Sequence, residues 1–257
     1  MSHAATTGEE SVCGETLVSV VIPTFREALN LPDLIPAVSS ALSGAGLPFE
    51  IIVVDDDSQD GSEEIVRELA AEHHARILVR KDERGLSSAV IHGFRNANGR
   101  VLVCMDADLS HPPDRLPEMA RAILDGSADF VIGSRYVPGG STDAEWGILR
   151  KLNSRIATLL ASPLTPVKDP MSGYFCLPRE RFESAPALNP LGYKIGLELL
   201  IKTGAKRVAE IPIEFRDRSR GESKLTLRTQ IEYLRHVARL MRFRSRRGGS
   251  PSVRTAA

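Results

Sequence analysis

Short apolar runs alternate with amphipathic stretches along this chain, and that alternation constrains the fold more than any other feature. The runs Leu17–Pro23 (LVSVVIP), Phe49–Val54 (FEIIVV), Ala75–Val79, Arg100–Met105 (RVLVCM) and Asp129–Gly133 (DFVIG) are rich in Val and Ile. Continuous apolar runs of this length suit strands of a parallel sheet covered on both faces. Helical patterns fall between them, near 30–44, 62–73, 86–97 and 114–125. Their starts carry Asn30 ahead of Pro32, Ser62 ahead of Glu63 and Glu64, and Asp114 after Pro112-Pro113, all residue types that cap or open helices. The βαβα order predicts an open α/β sheet with right-handed crossovers. Further on, the pattern predicts a helix near 146–161, a strand at 173–177, a helix at 192–203, a strand at 206–213 and an amphipathic helix over 226–244. One domain, residues 17–225, is expected to carry that last helix. Residues 1–16 and the basic tail 245–257 are expected to be unstructured.

Composition narrows the class further. With 42% apolar residues, 26% charged residues and three cysteines in 257 residues, the chain is neither a disordered tail, nor collagen-like, nor a disulfide scaffold. Cys13, Cys104 and Cys176 share no metal-ligand spacing, which points to a reducing compartment. No run reaches the roughly 18 to 20 apolar residues of a membrane span, and the first fifteen residues lack the apolar core of a signal peptide. A cytoplasmic location is therefore expected. The formal net charge is zero, but Arg216 to Arg247 holds eleven Lys or Arg against three acids, a local excess of +8. Such separation suggests that one end faces an anionic partner.

In an open α/β sheet, ligands bind beyond the carboxyl ends of the strands. Pro23-Thr24-Phe25-Arg26-Glu27 follows the first strand, Asp55-Asp56-Asp57-Ser58 the second, Asp106-Ala107-Asp108 the fourth and Ser134-Arg135-Tyr136 the fifth. A single acid there can be a turn residue or a helix cap. Two carboxylates in D-x-D repel each other unless a cation lies between them. Hard oxygen ligands favour Mg2+ or Mn2+, which typically bind one or two carboxylates plus substrate phosphates. No P-loop and no G-x-G-x-x-G occurs, and neither a nucleophile elbow nor a Cys–His pattern is present. His73-His74 reads as a pair of surface histidines.

The segments VSVVIPTFRE, EIIVVDDDSQDGS, ERGLSSAVIHGF, MDADLSHPPD and VIGSRY resemble, in that order, family 2 glycosyltransferases of the GT-A fold. DPMSGYF and FRDRSRGESKL resemble their polyprenyl-phosphate (dolichol-phosphate) mannosyltransferase branch, and the likeness spans roughly residues 17–230. It implies a single Rossmann-like, mostly parallel sheet flanked by helices. It implies that Pro23, Phe25 and Glu27 line the nucleotide-sugar pocket and that Val54 and Asp56 reach the guanosine. Phe25 stands where the family often has Tyr. Asp106 and Asp108 would hold Mg2+ or Mn2+ on the diphosphate, with Ala107 approaching through its backbone. Ser110 fills the place of a third ligand that is Gln in some relatives. Arg135, Lys194, Arg218 and Lys224 match cationic substrate contacts, Asp108, Arg135 and Arg218 being the catalytic candidates. Asp169 matches a loop residue near the sugar.

The reaction so implied moves mannose from GDP-mannose to a polyprenyl phosphate by a single inverting displacement. The acceptor phosphate is already ionised, so the chemistry asks for charge handling more than for a base. UDP-glucose as donor is an alternative within the class. An alternative of another class is a non-catalytic module binding a membrane or nucleic acid through the basic end, although nucleic acid lacks support beyond charge. Leu227, Ile231, Leu234, Val237, Ala238 and Met241 form one helical stripe flanked by Arg228, Arg235, Arg239 and Arg242. Such a helix can lie in lipid headgroups or dock on the sheet as core, with Leu234 expected in the packed part. Peripheral association with the cytoplasmic face of a membrane follows, directly or through an anchoring partner subunit.

Overall fold

A computed structural model of the chain describes residues 15–142, 156–189, 194–216, 227–246 and 254–256. The first half follows the expected alternation. Strands β1 (Val18–Thr24), β2 (Phe49–Asp55), β3 (Ala75–Val79), β4 (Val101–Cys104) and β5 (Phe130–Ser134) alternate with helices α1 (Leu31–Gly44), α2 (Ser62–His73), α3 (Leu86–Arg95) and α4 (Leu116–Leu124). Then come β6 (Ser141–Thr142), helix α5 over 156–161, β7 (Phe175–Pro178), α6 (Arg179–Glu183) and α7 (Ile195–Lys202). The last elements are β8 (Arg207–Pro212), β9 (Glu214–Phe215), α8 (Leu227–Arg246) and β10 (Arg254–Ala256). The expected N-terminal segment 1–16 lies almost wholly outside the described residues, as does the start of the helix expected near 146. The tail expected to lack structure differs in two places. Helix α8 continues to Arg246, and Arg254–Ala256 pairs with β8.

Eight strands form one sheet in the order β10-β8-β5-β7-β4-β1-β2-β3. Every pairing in it is parallel except those of β7, which runs antiparallel between β4 and β5. The continuous Val/Ile runs have the cause read from them, since side chains of successive residues point to opposite faces and both faces are covered. Val18, Val20 and Ile22 of β1 and Ile51 and Val53 of β2 pack with Leu34, Ile35 and Val38 of α1 and Met119 of α4. Val21, Ile52 and Val54 point the other way, onto Val90 and Phe94 of α3. Burying a side chain of this size contributes about 1.5–3 kcal/mol.

The capping differs in detail from the expectation. Ser62 is already helical, and Asp60 accepts hydrogen bonds from the Ser62 amide (3.1 Å) and hydroxyl (2.7 Å). Asn30 does cap α1 by position, but its side-chain amide donates to Glu27 Oε2 at 2.7 Å instead of serving the helix. Reversed β7 has a positional consequence. Its leading residues, Ser172-Gly173-Tyr174, lie at the same edge of the sheet as the carboxyl ends of β4 and β5. Ser172 Oγ donates to the Gly133 carbonyl at 2.7 Å. The missing side chain at Gly173 leaves room for the Asp106 carboxylate, whose oxygens would sit 3.1 and 3.2 Å from a Cβ there.

Helix α8 settles against the body through Tyr233, Val237 and Leu240, which meet Ala161, Leu164, Met171 and Leu197. Tyr233 Oη donates to the Ala157 carbonyl at 2.6 Å, and Arg244 Nη1 donates to the Pro163 and Leu164 carbonyls. The expected stripe is therefore rotated. Val237 packs as core, whereas Leu234 is half exposed and Met241 is also exposed. Nothing is described for the side chains of Leu227, Arg228 and Ile231, which lie outside the described side chains. Among the described residues no helix is long and apolar enough to cross a membrane.

Candidate active site

The tips of β1, β2, β4 and β5 meet at one edge of the sheet, where the order reverses between β1 and β4. Register places Pro23 opposite Val54 and Thr24 opposite Asp55. The three acids after β2 divide their work. Asp55 is a turn residue, its carboxylate accepting bonds from Thr24 Oγ1 (3.1 Å), the Ser58 amide (2.8 Å) and Ser58 Oγ (2.5 Å). Asp56 is buried against Arg80, which donates Nε to Oδ1 at 2.8 Å and adds Nη2 to the same oxygen. The other oxygen, Oδ2, accepts the Gly85 amide at 2.7 Å. That amide is presented at φ +138°, a conformation suited to glycine. Arg80 also reaches Ser88 Oγ (2.8 Å) and the Gly85 carbonyl (3.0 Å). Asp57 is only partly buried and accepts a bond from Gln59.

Around β1, Glu27 holds Asn30, and the guanidinium groups of Arg26 and Arg84 each lie 5.3 Å from the centre of the Phe25 ring. Three of the five non-glycine residues with positive φ among the described residues are Arg26, Asp57 and Leu109, all at strand tips. Strained backbone of this kind concentrates at functional sites.

After β4, the Asp106 side chain is about 29% exposed whereas Asp108 is buried. Asp108 Oδ1 accepts both the amide (3.2 Å) and the hydroxyl (2.5 Å) of Ser110. Ser110 thus orients Asp108 from below. His111 is fully enclosed, stacked on Tyr174 with ring centres 5.0 Å apart and edge-on to Phe215. Its Nδ1 accepts the Asp106 amide at 3.1 Å, so the ring proton sits on Nε2, which faces Asp106 Oδ2 at 3.8 Å. Burial pulls the His111 pKa down, and the neighbouring carboxylates of Asp106 and Asp108 only partly offset it. Tyr174 Oη in turn donates to the Pro112 carbonyl.

No group of three or more His, Cys, Asp and Glu suited to a metal occurs among the described residues. The donor set at this tip is two carboxylates, which fits a Mg2+- or Mn2+-type ion completing its shell with phosphate oxygens and water. Cys104 and Cys176 are buried free thiols whose pKa burial raises, so neither is an activated nucleophile.

On the far side of β7 stand two cations, Arg135 and Lys194, the first paired with a carboxylate. Arg135 follows β5 and donates its amide (3.0 Å), Nε (2.8 Å) and Nη2 (2.8 Å) to Asp169, which is completely buried. Its guanidinium also lies over the rings of Tyr136 and Phe215, 5.3 and 5.2 Å from their centres. Burial works against the Arg135 charge, but the Asp169 carboxylate more than offsets it. Lys194, at the start of α7, donates Nζ to the Met171 carbonyl at 2.9 Å. Burial first, then repulsion from Arg135, lowers its pKa to about 8 against the pull of Asp169 and Asp106. Arg218 and Lys224 lie outside the described residues.

The structure thus brings together Pro23, Phe25, Glu27, Asp56, Asp106, Ala107, Asp108, Ser110, Arg135, Asp169 and Lys194 at one edge, whereas the Val54 side chain, expected at the guanosine, is fully buried as core against α3. Arg80 and His111 stand outside the residues expected from the sequence. Arg80 carried a signal, an arginine directly after an apolar strand, and His111 followed the D-x-D by three residues.

Residues 19–183 match the family described as glycosyl transferase family 2. The chain belongs to that family. It is a glycosyltransferase, which sets aside a non-catalytic binding module. It is 47% identical over 230 residues to the dolichol-phosphate mannosyltransferase of Pyrococcus furiosus, covering 88% of this chain and 64% of that protein. The chain therefore spans just under two thirds of that relative's length. The dolichol-phosphate mannosyltransferases of Mycosarcoma maydis and Saccharomyces cerevisiae are 46% and 42% identical, over 79% and 87% of their lengths and 88% of this chain in each case. Among solved structures, mannosyl-3-phosphoglycerate synthase from Rubrobacter xylanophilus superposes with a TM-score of 0.62 at 25% identity, covering 90% of this chain and 75% of that one. Glucosyl-3-phosphoglycerate synthase from Mycobacterium tuberculosis, solved with Mn2+, UDP and glucosyl-3-phosphoglycerate, gives 0.63 at 22% identity, covering 89% and 80%. These neighbours share the GT-A fold, a mostly parallel sheet between helices.

Proposed function

We propose that this glycosyltransferase moves mannose from GDP-mannose to the phosphate of a dolichyl-type polyprenyl monophosphate, inverting the anomeric centre in one displacement. One observation carries the reading. Two opposite charge centres, the Asp106/Asp108 carboxylates and the Arg135/Lys194 cations, stand at the same sheet edge on either side of β7. A donor diphosphate calls for the first through a divalent cation, and an acceptor phosphate calls for the second. The relatives named dolichol-phosphate mannosyltransferase support the choice of sugar and acceptor.

Asp106 and Asp108 would hold Mg2+ or Mn2+, with Ser110 fixing the rotamer of Asp108. Bound there, the ion acts as a Lewis acid that stabilises the departing diphosphate. Pro23, Phe25, Glu27 and Asp56, the last braced by Arg80, form the nucleoside end, and Val54 backs them from the core. Arg135 and Lys194 bind the acceptor phosphate and hold its negative charge in line. The acceptor oxygen is already anionic and needs no proton removed. Asp169 serves by orienting Arg135.

The acceptor is a lipid, so the protein meets it at a membrane surface. Leu234 and Met241 on α8 and Ile156 and Leu159 on α5 are exposed, and Arg235 and Arg242 stand beside them. Apolar side chains next to arginines suit an anionic headgroup layer, and peripheral docking on a cytoplasmic face, unaided or through an anchoring subunit, fits this surface.

The test is transfer of radiolabel into organic-extractable lipid, with polyprenyl phosphate as acceptor and GDP-mannose and UDP-glucose compared as donors. Transfer from GDP-mannose alone, abolished by a chelator and restored by Mg2+ or Mn2+, is the expected result. Transfer from UDP-glucose alone would overturn the donor assignment.

A further inference from the structure

Behind Arg135 and Asp169 stands a third charged residue. Glu210 lies mid-strand on β8, paired in register with Ile132 of β5. Alternation along the strands puts Glu210 and Ser134 on the same face of the sheet. Its carboxylate accepts three hydrogen bonds. Oε1 takes the Ser134 hydroxyl at 2.8 Å and the Asp169 amide at 3.0 Å, and Oε2 takes the Lys168 amide at 2.9 Å. Two successive backbone N–H groups of the loop before β7 thus converge on one side chain. Ser134 passes the restraint on, its hydroxyl oxygen accepting the Tyr136 amide at 3.4 Å. The two residues flanking Arg135 and the backbone of its ion-pair partner Asp169 are therefore tied to one carboxylate.

We propose that Glu210 is a positioning residue for glycosyl transfer, fixing the Asp169 backbone so that Asp169 aims the Arg135 guanidinium at the acceptor phosphate. This rests on the reading of Arg135 as an acceptor-phosphate contact. All three partners of Glu210 donate, and only an ionised carboxylate offers acceptors alone on both ends. A glutamine of the same shape turns an N–H2 either towards the exposed Lys168 amide or towards the Ser134 hydroxyl and the Asp169 amide, so at least one of the three bonds that hold the loop is lost. The loop then shifts, and Arg135 with it. Displacements of about 1 Å remote from the chemistry cost on the order of 10²-fold in rate.

The test compares Glu210→Gln, Ser134→Ala, Arg135→Lys and the double variant Glu210→Gln/Arg135→Lys in the full chain, assayed with a short polyprenyl phosphate in detergent. Glu210→Gln is expected to lower kcat/KM for the acceptor by roughly ten- to a hundredfold. The KM for GDP-mannose and the affinity for GDP with Mn2+ should stay at wild-type values, because that half of the site lies across β7. Ser134→Ala, which removes one of the three bonds, should show a smaller loss in the same parameter and so serves if Glu210→Gln folds poorly. The double variant should be no worse than Arg135→Lys, since both act through one guanidinium. Multiplicative losses, or an equal loss in GDP-mannose KM, would overturn the role of Glu210. If Arg135→Lys leaves acceptor kinetics unchanged, the Arg135 reading itself fails. If Arg135→Lys is impaired and Glu210→Gln is not, only the role of Glu210 falls.

Discussion

Arg135 and Asp169 meet fork to fork, Nε and Nη2 of the arginine each lying 2.8 Å from a different oxygen of a carboxylate with no exposed surface. Such a pair is costly to break on one side, because the remaining charge is left buried alone. Asp169→Ala is expected to destabilise the protein by about 3–5 kcal/mol and to remove acceptor-dependent transfer. Urea unfolding followed by tryptophan-independent circular dichroism measures the first, and the lipid-transfer assay the second. A change in stability below about 1 kcal/mol would show that the pair is not buried as described.

Lys194 is expected to link acceptor kinetics to pH. Its pKa of about 8 means the ammonium is present below that pH and is lost above it. Acceptor kcat/KM should fall as pH rises through about 8, and Lys194→Arg should keep its charge and flatten that limb. The stability effect has the opposite sense. The folded chain releases this proton at a lower pH than the unfolded chain, so the unfolded state holds more protons between about 8 and the ordinary lysine value of 10.5. Stability contributed by this group therefore rises with pH across that window. A pH profile of the acceptor kinetics that is the same for wild type and Lys194→Arg would refute the assignment.

Ser110 touches Asp108 through both its amide and its hydroxyl. If that contact sets the carboxylate, Ser110→Ala should weaken Mn2+ binding in the presence of GDP by roughly 10–100-fold, the range of an outer-shell partner. Ser110→Thr should restore most of it. Asp108→Asn should do more damage than Ser110→Ala. Titration of Mn2+ by electron paramagnetic resonance distinguishes these cases without relying on turnover.

Two leucines of α8, six residues apart, should behave differently. Leu240 is buried and Leu234 is half exposed. Leu240→Ala is expected to cost about 2–5 kcal/mol. Leu234→Glu paired with Met241→Glu should leave the unfolding midpoint nearly unchanged and weaken binding to anionic liposomes. Retained liposome binding by the double variant would remove this face from the membrane contact.

The strand order was half legible. Val/Ile runs announce β1, β2, β4 and β5 because each is buried on both faces, and the acids at their ends announce the site. The orientation of β7 was hidden, because FCLP has the same apolar content whichever way it runs. The rotation of α8 was hidden for a related reason. Leu234 and Val237 are equally apolar, and only the position of α5, fixed through Tyr233 and Ala157, decides which of them faces inward. Asp56 was found and its brace Arg80 was not, because an ion pair between β2 and β3 exists only after the sheet has formed.

Strand β7 also acts as a ruler. Neighbouring strands lie about 4.8 Å apart, so inserting one strand between β4 and β5 sets their axes roughly 10 Å from each other. The spacing of the two backbones that carry the anionic and cationic halves is thus a property of main-chain hydrogen bonding. A pyranose ring with its flanking phosphate oxygens is an object of that scale. Substitutions on either side change the groups presented there, but the spacing of the strands that present them is fixed by the width of a single extended chain.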